Sequence, residues 1–312
     1  MGDIGTTVLR VAGCADAHDV LKEIHRAAAG AGARLTSEQP LARDDLVADE
    51  WVFDRIAPED LRRAVRPVLL EAEIDFCFCA PREPGARMLV LFDVDSTLIH
   101  QEVIELIADR AGSRDEVAAV TAAAMRGELD FAESLHQRVA TLRGVDVAAL
   151  TDVFRQVTLT AGARTTVDVL RSRGHRVGVV SGGFIEVVAP LARALGVDHA
   201  RANALEVADG RLTGRVKGAV VDRAAKAAAL REWSAREQVE PSCTVAVGDG
   251  ANDLDMVATA GVGVAFCAKP ALRAVADATI SVPRLDMLLP FLGFSEEDVS
   301  ASLFGRDPLP GL

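Results

Sequence analysis

Apolar and polar residues alternate over the first 80 residues in a regular order of short and long periods. Two-residue periodicity and short apolar runs predict strands at 7–11, 33–41, 49–55 and 74–79. Helical spacing predicts helices at 17–31 and 58–70, the second beginning at Pro58, which suits a first helical turn. The order βαββαβ is typical of a ferredoxin-like α+β unit.

A short stretch at 80–86, which contains Pro81, Pro84 and Gly85, predicts a linker. Apolar runs after it predict strands at 88–92, 176–180, 244–247 and 262–266, alternating with helical segments. Repeated βα units of this kind predict an α/β domain with a doubly wound parallel sheet. The turn at Asp209-Gly210 predicts a hairpin between two further short strands.

One helical block interrupts that alternation directly after the first strand of the α/β domain. Helical patterns fill 102–111, 115–126, 131–142 and 146–156. We expect this block, at about 100–160, to form a cap over the sheet. The predicted domains are therefore 1–84 and 85–312.

Composition narrows the class of partner. The 312 residues suffice for about two domains, and 50% hydrophobic and 26% charged residues are ordinary for a globular protein. A net charge of -12 argues against nucleic acid as a partner, because phosphate backbones demand clustered cations. No apolar run approaches the roughly 18 residues of a membrane span, and the N-terminus lacks the basic region of a signal peptide. With five cysteines, an odd number, we expect reduced thiols and a cytoplasmic protein.

Polar side chains cluster where three of the predicted strands end. The clusters are Asp93 with Asp95, Ser181-Gly182-Gly183, and Asp249 with Asn252 and Asp253. Since the carboxyl ends of parallel strands lie at one edge of a sheet, we expect the three clusters to converge. Carboxylates there suit Mg²⁺, and a serine with glycines entering a helix suits an anion. With Lys226 as a point charge, these residues predict a phosphoryl-transfer site.

These motifs resemble those of the haloacid dehalogenase superfamily and, within it, of the phosphoserine phosphatase family. Four motifs in matching order, over about residues 88 to 293, carry the resemblance: Asp93-Val94-Asp95-Ser96-Thr97, Ser181-Gly182-Gly183-Phe184, Lys226, and Gly248-Asp249-Gly250-Ala251-Asn252-Asp253. It implies Mg²⁺-dependent hydrolysis of O-phospho-L-serine, the last step of serine synthesis.

The resemblance also implies a role for each motif residue. Asp93 is the nucleophile that forms an aspartyl-phosphate, and Asp95 is the general acid and base. Mg²⁺ is held by the Asp93 carboxylate, the Asp95 backbone carbonyl and Asp249. The phosphoryl group is held by Ser181, Gly182, Gly183 and Lys226. Asn252 and Asp253 fix the waters of the metal ion and Lys226, and Asn252 also contacts the substrate.

In the cap, the resemblance assigns substrate contacts to Glu102, Met125, Phe131 and Arg138. Phosphoserine carries an ammonium and a carboxylate, for which Glu102 and Arg138 are the matching charges. Without the resemblance, both are equally ordinary solvated helix charges, and Met125 and Phe131 could be simple cap core.

The first domain carries only a weaker resemblance, based on element order, to the amino-acid-sensing ACT domains. It implies feedback by serine or another amino acid at a subunit interface, in a homodimer. A ferredoxin-like unit that only supports dimerisation is the alternative. For the whole chain, the alternatives are a phosphatase or phosphotransferase for another small phosphomonoester, and an amino-acid sensor with a vestigial phosphatase half.

Overall fold

The strands of the described residues form one mixed sheet. The computed structural model describes residues 6–12, 18–40, 48–83, 85–125 and 128–303, and within them eleven strands lie in the order β2-β3-β1-β4-β11-β10-β9-β5-β6-β7-β8. Pro84 of the predicted linker, Cys14 and Arg126 lie outside the described residues. The strands are β1 Thr7–Ala12, β2 Arg34–Pro40, β3 Ala48–Asp54, β4 Asp75–Cys79, β5 Leu89–Phe92, β6 Arg176–Phe184, β7 His199–Ala208, β8 Arg211–Lys217, β9 Thr244–Gly248, β10 Val262–Phe266 and β11 Ala278–Ile280. The α-helices are α1 His18–Gly30, α2 Pro58–Glu71, α3 Val103–Ala111, α4 Arg114–Met125, α5 Phe131–Ala140, α6 Ala148–Phe154, α7 Ala163–Ser172, α8 Ile185–Leu195, α9 Arg223–Glu237, α10 Leu254–Thr259, α11 Pro270–Arg273, α12 Leu288–Phe291 and α13 Glu296–Leu303.

The first six elements have the predicted βαββαβ order. Strand β1 lies between β3 and β4 and is antiparallel to both. One face of this small sheet packs against α1 and α2 through a fully buried core that includes Leu9, Trp51, Phe76, Ile24 and Leu69. The alternation of apolar side chains along β1 and β4 thus directs one set of residues to the helices and the other set to the opposite face.

The second half of the chain contains the predicted parallel sheet. Strands β7, β6, β5, β9, β10 and β11 run parallel, and β8 returns antiparallel to β7. Large apolar clusters cover both faces, which is why these strands have near-continuous apolar sequences. The hairpin between β7 and β8 turns at Asp209 and Gly210, both with positive φ (50° and 74°), as the sequence predicts.

The two halves meet along a continuous sheet, which the sequence did not predict. Strand β4 pairs antiparallel with β11, with Cys77 opposite Ala278 and Phe76 opposite Thr279. On the face of the small sheet away from α1 and α2, the buried Arg10 donates a 2.9 Å hydrogen bond to the carbonyl of Phe291. We call the β4–β11 pairing and the contacts of Arg10 with the 288–294 segment the seam.

The segments that enter and leave the cap lie next to each other. Ile99 and Leu159 form an isolated antiparallel bridge, so the chain enters and leaves the cap side by side. The helices α3 to α6 between them confirm the predicted helical block, although α6 is shorter than expected. Gly144 and Val145 of the cap exchange 2.8 Å backbone hydrogen bonds with Leu212 of β8, so the hairpin holds the cap's far end. In the described ranges, no helix has both the length and the apolar character that crossing a membrane requires.

Candidate active site

An irregular turn follows β5, with Asp93 directly before it and Asp95 inside it. Val94–Leu98 form a π-helical turn in which Asp95 is extended and Ser96 is left-handed, with a φ of 57°. Asp93 and Asp95 both line the same cavity. A strained backbone directly after a buried strand is typical of a functional site.

Asp93 is buried, and its carboxylate is held by three donors. Oδ1 accepts from the Val94 amide at 2.7 Å and lies 2.8 Å from the Lys226 ammonium, while Oδ2 accepts from Asn252 at 3.3 Å. Burial raises the pKa of Asp93 well above its usual range, and the charge of Asp253 adds to this, against the opposing effect of Lys226. The Val94 amide, Lys226 and Asn252 together fix the orientation of this carboxylate.

Lys226 on α9 is a buried cation between two acids. Its Nζ lies 2.8 Å from Asp93 and 2.7 Å from Asp253, and the residue is 0% exposed. Burial alone would lower the pKa of Lys226, but the two carboxylates more than offset burial and raise it. Lys226 is thus a fixed positive charge beside the carboxylate of Asp93.

Asp95 has a different environment from Asp93. Its Oδ1 accepts from the Val103 amide at 2.9 Å, and its Oδ2 accepts from the Ser181 hydroxyl at 3.1 Å. Burial, with a further contribution from Glu102, raises the pKa of Asp95 to about 7. A carboxyl group with this pKa can both donate and accept a proton near neutral pH, as a general acid and base must.

Three carboxylates could hold a metal ion. Asp93, Asp249 and Asp253 each offer an oxygen, and these oxygens lie within 4.8 Å of one another. Burial and the neighbouring acids raise the pKa of Asp249 to about 6. A divalent cation fits this donor set, because the carboxylate oxygens are hard ligands and together carry an excess of negative charge.

Asp253 contacts both Lys226 and the backbone at Asp249. Its Oδ1 pairs with Lys226, and its Oδ2 accepts from the amides of Asp249 and Gly250, both at 3.2 Å. The Asp95 side chain is likewise committed to Val103 and Ser181. Of the three carboxylates, those of Asp93 and Asp249 line the cavity and Asp253 does not, so Asp93 and Asp249 are the ones best placed to hold a cation that also contacts a substrate.

Ser181-Gly182-Gly183 leads into helix α8 as predicted, although β6 continues through this segment to Phe184 before α8 begins at Ile185. The register of β6 against β7 becomes irregular after Val180. The Ser181 hydroxyl accepts from the Gly183 amide at 2.7 Å. A Cβ at Gly183 would lie 2.6 Å from Asp95 Oδ2, and one at Gly182 would lie 2.9 Å from the Phe131 ring. Both glycines are needed because an acid and the cap come so close to the backbone.

Above the acids, the cap encloses a cavity of about 650 Å³. Phe131 and Arg138 of α5 line it, as does Glu102, which precedes α3. Glu102 is exposed and accepts a 2.8 Å hydrogen bond from Ser96. Met125 ends α4, but its side chain lies outside the described part of the chain.

Arg138 is the cation of the cap wall. Burial lowers its pKa, and the carboxylates of Glu102, Asp95 and Glu105 oppose this effect. Among the residues the structure describes, no carboxylate lies within ion-pair distance of Arg138, whose Nε donates to the Ser134 carbonyl at 3.3 Å. The guanidinium can therefore take an anionic group from the cavity.

Sequence reasoning missed the contribution of Asn203. This buried residue of β7 donates to the Gly182 carbonyl at 2.8 Å and accepts from the Val221 amide at 2.7 Å. It thereby joins the Ser181 segment to the chain that enters α9 and carries Lys226. An asparagine inside a predicted strand was the available signal, since a buried amide must find partners.

Lys269 and Arg223 also line the cavity without having been predicted as site residues. The Lys269 amide donates to the Asp249 carbonyl at 3.0 Å, and its charge lowers the pKa of Asp249 against the effect of burial. Arg223 pairs with Asp255 at the cavity rim.

Comparisons with known proteins agree with this geometry. Residues 90–258 match the model of the family described as haloacid dehalogenase-like hydrolase. A phosphoserine phosphatase of Streptomyces coelicolor is 51% identical over 263 residues, or 84% of this chain, and phosphoserine phosphatase SerB2 of Mycobacterium tuberculosis is 56% identical over 216 residues, or 69% of this chain. The chain spans 64% and 53% of the lengths of these two relatives. A solved phospho-aspartyl intermediate analogue of phosphoserine phosphatase superposes with a TM-score of 0.63 at 43% identity, covering 66% of this chain and 99% of its own.

Proposed function

Because the chain belongs to the haloacid dehalogenase-like hydrolase family, we propose that it hydrolyses O-phospho-L-serine to L-serine and phosphate through an aspartyl-phosphate on Asp93. One observation carries the proposal. The cavity has a buried carboxylate held by a lysine at its floor, a second carboxyl with a pKa of about 7 beside it, and in its cap an arginine with no carboxylate partner among the described residues. The names of the similar proteins support the same substrate.

In the first displacement, Asp93 attacks the phosphorus atom and the serine oxygen departs. Asn252, the Val94 amide and Lys226 hold the attacking carboxylate in place. Lys226 and Ser181 stabilise the negative charge on the phosphoryl oxygens. Asp95 gives its proton to the leaving oxygen, which its raised pKa allows.

In the second displacement, Asp95, now ionised, takes a proton from water, and that water cleaves the aspartyl-phosphate. The hydrogen bonds from Val103 and Ser181 stabilise the ionised form and keep it aimed at the same point. Splitting the hydrolysis into two displacements lowers the barrier of each.

The oxygen ligands of Asp93 and Asp249, with the Asp95 backbone carbonyl, would hold a divalent cation, which we propose is Mg²⁺. Bound there, it offsets the repulsion between the anionic nucleophile and the anionic phosphate. Complete chelation should abolish activity, and adding back Mg²⁺ should restore it more fully than adding back Ca²⁺, whose larger coordination shell does not suit this site.

At the other end of the cavity, Arg138 would bind the substrate carboxylate and Glu102 the ammonium. Phe131 lies over Gly182 and lines the same cavity with its apolar ring. Met125 is proposed as a further lining residue on the resemblance alone.

A panel of phosphomonoesters tests the substrate assignment. We expect kcat/KM for O-phospho-L-serine to exceed that for a phosphomonoester without the amino-acid end, such as glycerol 2-phosphate, by at least about 10²-fold, since two charged contacts are lost. Equal turnover would instead favour the alternative, a phosphatase or phosphotransferase for another small phosphomonoester. No turnover of any ester by metal-loaded protein would favour the amino-acid sensor with a vestigial phosphatase half.

For the N-terminal unit we propose an ACT-like role, in which serine or another amino acid binds and a homodimer forms. Its βαββαβ order and the exposure of every residue of β2, the outer edge strand, support this. Light scattering of the full chain tests the dimer, and a mass equal to one chain would count against it. The expected cytoplasmic location remains a proposal from the cysteine count.

A further inference from the structure

A second cavity, of about 240 Å³, lies beside the seam. Cys267, Arg273, Thr279 and Ser281 line it, together with small apolar residues. It lies beyond the carboxyl ends of β10 and β11, at the same edge of the sheet as the candidate active site. This edge is where open α/β sheets bind ligands.

Charges of both signs lie near this cavity: Arg273 lines it, while burial and the charges of Asp75 and Asp249 raise the pKa of the lining residue Cys267. Arg273 is half-buried, and no carboxylate of the described residues lies within ion-pair distance of it. The α2 residue Arg66 donates to the Arg273 carbonyl, and burial together with the charges of Arg62 and Arg273 lowers the pKa of Arg66. Of these three guanidinium groups, the one of Arg62 pairs with Asp277.

The buried acid Asp75, near the cavity, is already hydrogen-bonded to Ser281. Asp75, at the start of β4, accepts 2.9 Å hydrogen bonds from the Ser281 amide and a 2.8 Å bond from the Ser281 hydroxyl. It is close enough for the charge of Arg273 to lower its pKa, against the larger effect of burial, but it is not paired with Arg273. Within the described part of the chain, the cavity therefore presents a guanidinium without a counter-ion.

We propose that the seam cavity binds a small oxyanion, the carboxylate of an amino acid or inorganic phosphate, with Arg273 as its anchor. A planar guanidinium suits either anion, because it can donate two parallel hydrogen bonds. The volume accommodates a free amino acid or a phosphate ion. The site goes beyond the proposed hydrolysis, since its occupant is not the reacting phosphate.

The position of this site couples it to the candidate active site. Cys267 and Arg273 line the seam cavity, while Lys269 between them lines the larger cavity and donates to the Asp249 carbonyl. Cys267 has a φ of 43°, a left-handed conformation that few residues adopt without strain. An anion that holds Arg273 would therefore bias the segment that positions Lys269.

Isothermal titration of the full chain with L-serine and, separately, with inorganic phosphate tests the proposal. The variants are Arg273→Met and, as a matched control, Arg63→Met, which removes an exposed guanidinium of α2. Binding in the larger cavity is common to both variants, so their difference isolates the seam cavity. We expect Arg63→Met to show a site that Arg273→Met weakens at least tenfold, for one of the two anions.

The anion that shows the difference identifies the occupant. Arg273→Lys retains the charge but loses the two-pronged geometry, so we expect binding between that of the wild type and Arg273→Met. This second variant also serves if Arg273→Met fails to fold. Identical titrations of all three variants with both anions would overturn the proposal, whether or not the protein hydrolyses phosphoserine.

Discussion

The carboxylate of Asp95 accepts a 2.9 Å hydrogen bond from the backbone amide of Val103, the first residue of the cap helix α3. The proposed proton donor is therefore attached to the cap as well as to the sheet, through Ser181. Closure of the cap over a substrate would orient Asp95 at the same time as it excludes water. The orientation of Asp95 therefore depends on the position of α3 as well as on that of β6.

Replacing Asp93 with asparagine should abolish turnover without unfolding the protein. We expect kcat for phosphoserine to fall by at least about 10³-fold, because an amide cannot form the aspartyl-phosphate. Asp253 remains as a partner for Lys226, and the charge repulsion between Asp93 and Asp253 disappears. The melting temperature should therefore be unchanged or higher. Activity near that of the wild type would contradict covalent catalysis at this residue.

Replacing Arg138 with methionine should damage recognition of the amino-acid end only. We expect KM for phosphoserine to rise on the order of 10²-fold, since a buried charged contact is lost. Turnover of an ester without a carboxylate should change little. Arg143→Met, an exposed cap arginine, is the matched control. Equal losses for both esters would show that Arg138 supports the cap rather than the substrate.

Ser96 positions Glu102 through a 2.8 Å hydrogen bond, and removing its hydroxyl should loosen that carboxylate. For Ser96→Ala we expect KM for phosphoserine to rise about 2- to 10-fold, the effect of one hydrogen bond. The ester without an ammonium should be unaffected, because Glu102 has no group to bind there. A fall in kcat for both esters would instead place Ser96 among the supports of Asp93 and Asp95.

The contact of Arg10 with Glu50 should stabilise the seam. Arg10 Nε lies 2.7 Å from Glu50, and both side chains are about nine-tenths buried. Arg10→Met leaves Glu50 buried without its charge partner, which costs about 3 to 5 kcal/mol. Urea unfolding should show this loss, and it should be smaller in Arg10→Met/Glu50→Met, where both charges are absent. Equal losses in the single and double variants would rule out the charge pair as the cause.

His175 should make the protein less stable in mild acid. Its Nδ1 accepts from the Met88 amide at 3.1 Å, and burial, with the charges of Arg82 and Arg87, lowers its pKa to about 4 from 6.5. Above pH 6.5 the ring is neutral in both the folded and the unfolded state and contributes no pH dependence. As the pH falls from 6.5 toward 4, the unfolded chain binds a proton that the folded chain excludes, so stability decreases.

Urea midpoints at about pH 7.5 and about pH 5, on either side of the ordinary histidine pKa, measure this effect. His175→Asn keeps an acceptor for the Met88 amide but does not titrate in this range. We expect a smaller difference between the two midpoints in the variant than in the wild type. The same difference in both proteins would assign the acid sensitivity to other groups.

Local patterns along the chain determined the elements and the identity of most site residues. The βαββαβ order, the parallel sheet, the cap and the hairpin at Asp209-Gly210 all follow from periodicity and turn residues, which are properties of neighbours in sequence. The acids and Ser181 can be grouped from the sequence itself, because parallel strands bring their carboxyl ends to one edge of the sheet. Lys226 lies in α9, and its contact with Asp93 is a tertiary one.

Tertiary structure alone decided how the units join and what distinguishes the two acids. The pairing of β4 with β11, the contact of Arg10 with Phe291, the bridging by Asn203 and the seam cavity depend on residues up to 281 positions apart. No local pattern encodes such contacts, because edge pairing and burial depend on which surfaces meet. Likewise, Asp93 and Asp95 are identical side chains two residues apart. Only the surrounding charges, burial and donors distinguish Asp93, the proposed nucleophile, from Asp95, whose pKa burial raises to about 7.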